Sequence, residues 1–303
     1  MTRVQLAVEL PTMRVDPPEE FAGPDAVAEI ARAAEEAGYA ACFVTDHPAG
    51  DATWLDTGGH HALDPLVTLA FAAAATTRLR LLTHVYILAY RNPFLTAKAT
   101  LTLDVLSGGR LILGVAAGYL RPEFGALGVD FDERNALFEE ALQVMQLHWS
   151  GEPFTFEGRH FSARNIHALP APRGARVPIW MGGNSDAALR RAARFADGWM
   201  PMGAPASVAK TARTPPVTTT DQLRERLDVL ERLAGDRYSE LELVLSYQGP
   251  SLANFERDAE QIRHRLGEMA AMGVDWTFVS SPWSPSPGPA EWIQAFGATF
   301  LAS

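Results

Sequence analysis

The hydrophobic period of this chain switches repeatedly between that of a strand and that of a helix, and this alternation constrains its fold more than any other feature. Short apolar runs at 5–10, 41–45, 79–87, 111–115, 179–181, 198–201, 241–246 and 276–280 have the length of strands and leave no room for helices. Between them, residues 24–37, 64–76, 92–105, 133–149, 186–195, 221–233, 254–272 and 289–300 carry helical spacing. Helix ends are marked in the usual way. Asp25 stands near one start with Gly38 just past its end, and the pairs Asp64-Pro65 and Asn92-Pro93 open two others. Eight strands, each followed by a helix, predict an α/β fold, a (β/α)8 TIM barrel, in a single domain over 1–303. The competing arrangement is a doubly wound open sheet, but its dinucleotide fingerprint, G-x-G-x-x-G at the first helix, is missing.

Two segments depart from the plain barrel. Residues 151–167 contain Phe154-Thr155-Phe156-Glu157-Gly158-Arg159-His160-Phe161, an alternation around a glycine that predicts a β-hairpin inserted before strand 5. Residues 202–220 are rich in Pro, Thr and Ala and have no period, which predicts a flexible loop after strand 6. That loop belongs to the face where barrels carry active sites and where a lid would sit.

Composition narrows the function. A chain of 303 residues that is 47% hydrophobic can bury a large core. A net charge of −10 argues against nucleic acid as a partner, because phosphates need a basic face. No apolar run reaches the roughly 18 residues of a membrane span, and the N-terminal stretch does not read as a signal peptide, so a cytoplasmic location is expected. The lone Cys42 excludes an intramolecular disulfide and a cysteine metal site.

The densest chemistry lies between Gly108 and Phe124. There Leu111-Ile112-Leu113 opens into the small residues Gly114-Val115-Ala116-Ala117-Gly118, which let backbone approach a flat or bulky ligand. Asp46-His47 ends the second strand on the catalytic face of such a barrel. An imidazole there can give or take a proton near neutral pH, and Asp46 can either orient it or cap the turn. Gly182-Gly183-Asn184-Ser185 leads directly into a helix, whose first amides and the Ser185 hydroxyl can seat a phosphate. His60-His61 and Asp64 have no fixed ligand geometry and read as a substrate-side loop, with no metal expected. Trp54 in the same loop can stack on a ring or substrate.

Four stretches, in chain order, also make the sequence resemble a known family. They are Phe43-Val44-Thr45-Asp46-His47, the run from Leu79 to Tyr90-Arg91-Asn92-Pro93, the Gly108 to Phe124 stretch, and Pro178-Ile179-Trp180-Met181-Gly182-Gly183-Asn184-Ser185 with Ala196-Asp197-Gly198-Trp199. The chain resembles the luciferase-like monooxygenase superfamily of flavin- and deazaflavin-dependent TIM barrels, and looks closest to its actinobacterial, coenzyme F420-dependent members. The resemblance implies that His47 and Asp46 are catalytic, with His47 beside the reactive ring and both lining the cofactor site. It implies a non-proline cis peptide at His84-Val85, within a cofactor-binding run His84, Val85 and Tyr86, although a histidine is bulkier than the small residue expected there. It places further cofactor contacts at Ala116, Ala117, Gly118 and Tyr119, and the cofactor phosphate at Gly182, Gly183, Asn184 and Ser185. Tyr119 falls where members acting on sugar phosphates carry an acid, which implies a less polar substrate. Trp54, Tyr119 and His61 are the substrate-side candidates.

The activity so implied is hydride transfer between F420 and a small organic substrate. A deazaflavin has carbon in place of the reactive ring nitrogen, so it carries hydrides and does not form a peroxyflavin. FMN is the alternative cofactor, in a monooxygenase using oxygen and a partner reductase; a non-catalytic flavin-binding barrel is a further alternative. Members of the family pair through their second and third helices. The small residues Ala70, Ala72, Ala73, Ala74, Ala75, Ala97 and Ala99 on those helices imply a homodimer.

Overall fold

The structure is a computed structural model that describes residues 4–15, 21–174, 176–203, 206–282 and 287–302. Its parallel strands are β1 (Gln5–Glu9), β2 (Ala41–Val44), β3 (Arg80–Thr83, resumed at Tyr86–Ile87), β4 (Leu111–Ala116), β5 (Ile179–Gly182), β6 (Gly198–Met200), β7 (Glu242–Ser246) and β8 (Trp276–Val279). They run in the order β3-β2-β1-β8-β7-β6-β5-β4, and β4 pairs back onto β3 through Leu81 with Leu111 and Leu82 with Ile112. The sheet is therefore a closed barrel, as the alternation predicts. Strand 3 differs from the expected single run: it breaks at His84-Val85 and resumes with Tyr86 opposite Val115.

The helices are α1 (Pro24–Glu36), α2 (Pro65–Ala75), α3 (Pro93–Ser107), α4 (Arg134–Trp149), α5 (Asp186–Phe195), α6 (Thr220–Ala234), α7 (Ala259–Ala271) and α8 (Pro289–Phe300). Their starts follow from local chemistry. The Asp64 carboxylate accepts from Leu66 N and Val67 N, and the Asn92 amide oxygen accepts from Phe94 N and Leu95 N, in each case just before a proline that needs no partner for its nitrogen. Asp64 is thus a helix cap.

Two apolar layers hold the barrel. One lies between sheet and helices. The other fills the barrel interior with Phe43, Leu82, Ile112, Trp180, Trp276 and Phe278 among others. At the strands' N-terminal end, the indole N–H groups of Trp180 and Trp276 each donate to the Glu242 carboxylate, both at 2.9 Å. Indoles bury area only when their N–H finds an acceptor, and a buried carboxylate persists only with donors. This polar knot lies at the bottom of the barrel, opposite the strands' C-terminal ends.

The hairpin expected within 151–167 is present, Phe154–Glu157 pairing antiparallel with Ser162–Ile166 ahead of β5. The segment after β6 contains a short helix, Ala206–Thr211, which its lack of period does not predict, and is tied back to Asn184. Residues 204–205 of that segment lie outside the described ones. Among the described residues, no helix is long and apolar enough to cross a membrane.

Candidate active site

A cavity of about 390 Å³ opens at the C-terminal ends of the strands, within the size range of small-molecule sites. It draws together Asp46 and His47 from the end of β2, His84 and Val85 from the break in β3, Ala116, Ala117, Gly118 and Tyr119 from the end of β4, and Gly182, Gly183 and Ser185 from the β5–α5 turn. Four segments far apart in sequence thus become four walls.

His47 is the best-positioned proton carrier. Its Nδ1 lies 3.2 Å from Glu123 Oε1, and both side chains are nearly buried, at 10% and 3% exposure. The same carboxylate oxygen accepts from Ala49 N at 3.4 Å. An Nδ1–H donating to Glu123 fixes the tautomer in which Nε2 carries no proton. The ring is packed by Trp54 at 4.4 Å, by His60 at 4.9 Å edge-on and by Tyr119 at 6.1 Å edge-on. Burial lowers His60 and keeps it neutral, while its Nδ1–H donates to His61 O at 2.9 Å. Burial together with the Glu123 charge pushes Tyr119 up to about 12.

Asp46 does not orient His47. Successive residues of an extended chain point to opposite sides, and Asp46 turns away to a bidentate pair with Arg91, at 2.7 and 2.9 Å. It also accepts from Ile87 N at 2.9 Å. Burial pushes the Asp46 carboxyl up, opposed by the Arg91 guanidinium and the Ile87 amide. The Asp46 charge in turn raises Arg91 against its burial. The task foreseen for Asp46 falls to Glu123. Tyr86, expected against a cofactor, instead lies beneath the Arg91 guanidinium at 3.9 Å and off the cavity wall. His61 is exposed and does not line this cavity, its neighbour His60 taking the wall; Trp54 backs His47 without itself lining the cavity.

The His84-Val85 peptide is cis. The His84 ring sits between Phe43 and Phe278, at 5.2 and 4.2 Å, and burial pushes it down to about 4, so it is a neutral wall of the cavity. Gly114 is small for a different reason from the one its sequence implies. A Cβ there would lie 2.1 Å from Thr83 O, so the glycine lets β3 and β4 close rather than admitting a ligand.

At the other end, Gly183 has φ +107°, a left-handed turn that favours glycine, and its N–H donates to Met200 O. Ser185 caps α5 by accepting from Ala188 N. Asn184 is not part of the wall. Its side chain is buried, donating to Met202 O and Pro215 O and accepting from Met202 N, and its own N–H donates to Thr214 Oγ1. It latches the segment after β6, so of this turn Gly182, Gly183 and Ser185 line the cavity where α5 begins.

Among the wall residues that sequence reasoning missed, four carry a formal charge: Glu123, Arg134, Arg191 and Arg213. Glu123 stands four residues past Tyr119, one turn along a chain about to become the short helix Arg121–Ala126, and that spacing was its one available signal. Arg134 and Arg191 occupy ordinary helix positions, and Arg213 lies in an aperiodic stretch, so nothing local marks them.

Comparison with known proteins agrees with this geometry. The family model described as luciferase-like monooxygenase matches residues 4–217. An uncharacterised protein of Mycobacterium tuberculosis is 35% identical over 185 residues, covering 56% of this chain and 63% of that protein. The match thus spans less than two thirds of that relative. A protein of Nakamurella multipartita named as an F420-dependent glucose-6-phosphate dehydrogenase is 32% identical over 259 residues, covering 84% of this chain and 71% of that one. Among solved structures, a monooxygenase from Streptomyces bottropensis superposes with a TM-score of 0.75 at 20% identity, covering 98% of this chain and 99% of that one, which supports the barrel fold. With the barrel, the walled cavity and a family match across more than half of its length, the chain belongs to the luciferase-like monooxygenase family.

Proposed function

We propose that the protein is an F420-dependent oxidoreductase that moves a hydride between the cofactor and a small organic substrate, with His47 handling the accompanying proton. The observation that carries this reading is the His47–Glu123 pair, a proton carrier held in one tautomer on the wall of a cavity whose far end offers helix amides. The Nakamurella relative, named for F420, supports the choice of cofactor. The walls fit such a group. The Thr45 hydroxyl is buried at the cavity with no hydrogen-bond partner among the described residues, a polar atom that a ligand would satisfy.

F420, when bound, supplies the carbon that accepts or donates the hydride. Val85, Ala116, Ala117 and Gly118 would hold its ring, and the α5 start at Gly183 and Ser185 its phosphate. His47 binds or releases the substrate proton through the nitrogen that Glu123 does not engage, and Glu123 keeps the ring from turning. Tyr119 and His60 give the substrate end an aromatic, uncharged lining, which favours a substrate less polar than a sugar phosphate. Anaerobic incubation of the enzyme with F420 and a panel of small alcohols should bleach the oxidised cofactor's fluorescence for at least one of them. Oxygen-dependent turnover with reduced FMN, and none with F420, would overturn the reading.

The same reading includes a homodimer. Val67 and Phe71 on α2 and Leu95 and Leu106 on α3 are exposed, at 60, 50, 74 and 78%, beside the small residues of those helices. Large apolar side chains grouped on one face are costly to leave in water. Light scattering at micromolar concentration should give twice the 32.9 kDa chain mass, and a monomeric mass would contradict pairing.

A further inference from the structure

Three guanidinium groups gather around a single phenyl ring at the cavity rim. Arg134, Arg121 and Arg213 stand 4.0, 4.4 and 4.8 Å from the centre of Phe131. Arg191, nearly buried, reaches the same wall from α5. Two of the four are matched by carboxylates, Arg121 by Asp132 at 2.7 Å and Arg191 by Glu139 at 2.9 Å. Among the described residues, neither Arg134 nor Arg213 has a carboxylate within ion-pairing distance, and both line the cavity. Arg134 donates to Phe131 O at 3.0 Å. Burial and the nearby charge of Arg213 lower Arg134, opposed by the Asp132 carboxylate, which stands beyond pairing distance and is already bound by Arg121. Two like charges held side by side beside a half-closed cavity cost free energy that an anion removes. The face of Phe131 holds them in place before that anion arrives.

The α5 amides and Ser185 already offer a seat for one phosphate. We propose that Arg134 and Arg213 form a second anion subsite, which takes the carboxylate-bearing tail that F420 carries beyond its phosphate. This rests on the F420 reading above. FMN ends at its phosphate and has nothing to place there, so the subsite would also select between the two cofactors. A planar guanidinium grips a carboxylate through two parallel N–H donors.

The test is equilibrium titration of the full-length protein, and of Arg134→Gln and Arg213→Gln, with three ligands: intact F420, the phosphate monoester of its chromophore, and the chromophore alcohol. Quenching of deazaflavin fluorescence gives each Kd. Each substitution should weaken intact F420 by about tenfold and leave the monoester and the alcohol unchanged. Added salt should weaken intact F420 more in the wild type than in the variants. Arg134→Lys, which keeps charge but not the fork, should fall between. Arg213→Gln, at an exposed position, separates ligand effects from folding effects. Equal losses for F420 and the monoester would assign the arginines to the phosphate and overturn the tail subsite, as would no loss at all. A wild type that binds none of the three ligands would overturn the F420 reading and the subsite with it.

Discussion

Replacing His47 with Ala should lower turnover by about 10²–10⁴-fold, the usual cost of losing a positioned acid or base, while the fold and most cofactor affinity survive. The expectation rests on place and partner. His47 ends β2 on the barrel's open face, its ring is braced by Trp54, and Glu123 engages one of its two nitrogens. The side chain is a wall of the cavity and not a member of the core, so its loss removes chemistry more than packing. Glu123→Gln can still accept a hydrogen bond but no longer holds a charge beside the imidazole. It should therefore reduce turnover less than His47→Ala. Normal turnover in the alanine variant would leave His47 as mere cavity lining.

Arg91→Met should destabilise the protein by about 3–5 kcal/mol, the cost of stranding a buried charge. Arg91 makes a two-point pair with Asp46, also donates to Ile87 O, and covers the Tyr86 ring. Removing it leaves the 4% exposed Asp46 with the Ile87 amide alone. Since Asp46 and Ile87 bracket the cavity end of two strands, the damage should reach ligand binding as well. Adding Asp46→Asn removes the stranded charge and keeps an acceptor for Ile87 N, so the double variant should be more stable than Arg91→Met alone. Thermal unfolding of the wild type and both variants decides the matter. A single variant as stable as the wild type would show that the pair contributes nothing.

The barrel was legible because each strand and helix carries its own period, and Pro and capping residues mark the boundaries. The break in β3 was legible only through the family resemblance, which implied the cis peptide found at His84-Val85; the residues themselves are ones that any buried strand could contain. Short helices such as Ala52–Asp56 and Ala206–Thr211 span too few turns to show a period. In the site, the sequence displayed the wall residues that share a strand end, and the structure gathers Asp46, His47, Ala116, Ala117, Gly118 and Tyr119 around one space. It misled where adjacency stood in for contact. Asp46 adjoins His47 in the chain yet pairs with Arg91, while Glu123, 76 residues away, meets the ring. Asn184 misled in the same way, a polar residue in a phosphate-like motif whose donors and acceptor are all engaged by backbone and Thr214. The arginines at the rim come from three separate segments, and only tertiary structure brings them to one ring.

Parallel fluorescence titration of the wild-type protein with F420 and with FMN tests most directly whether this cavity is built for F420. Saturable quenching of F420 is expected, with a Kd at least tenfold below that for FMN, and the protein should purify without yellow flavin. Tight binding of FMN, with no quenching of F420, would contradict it.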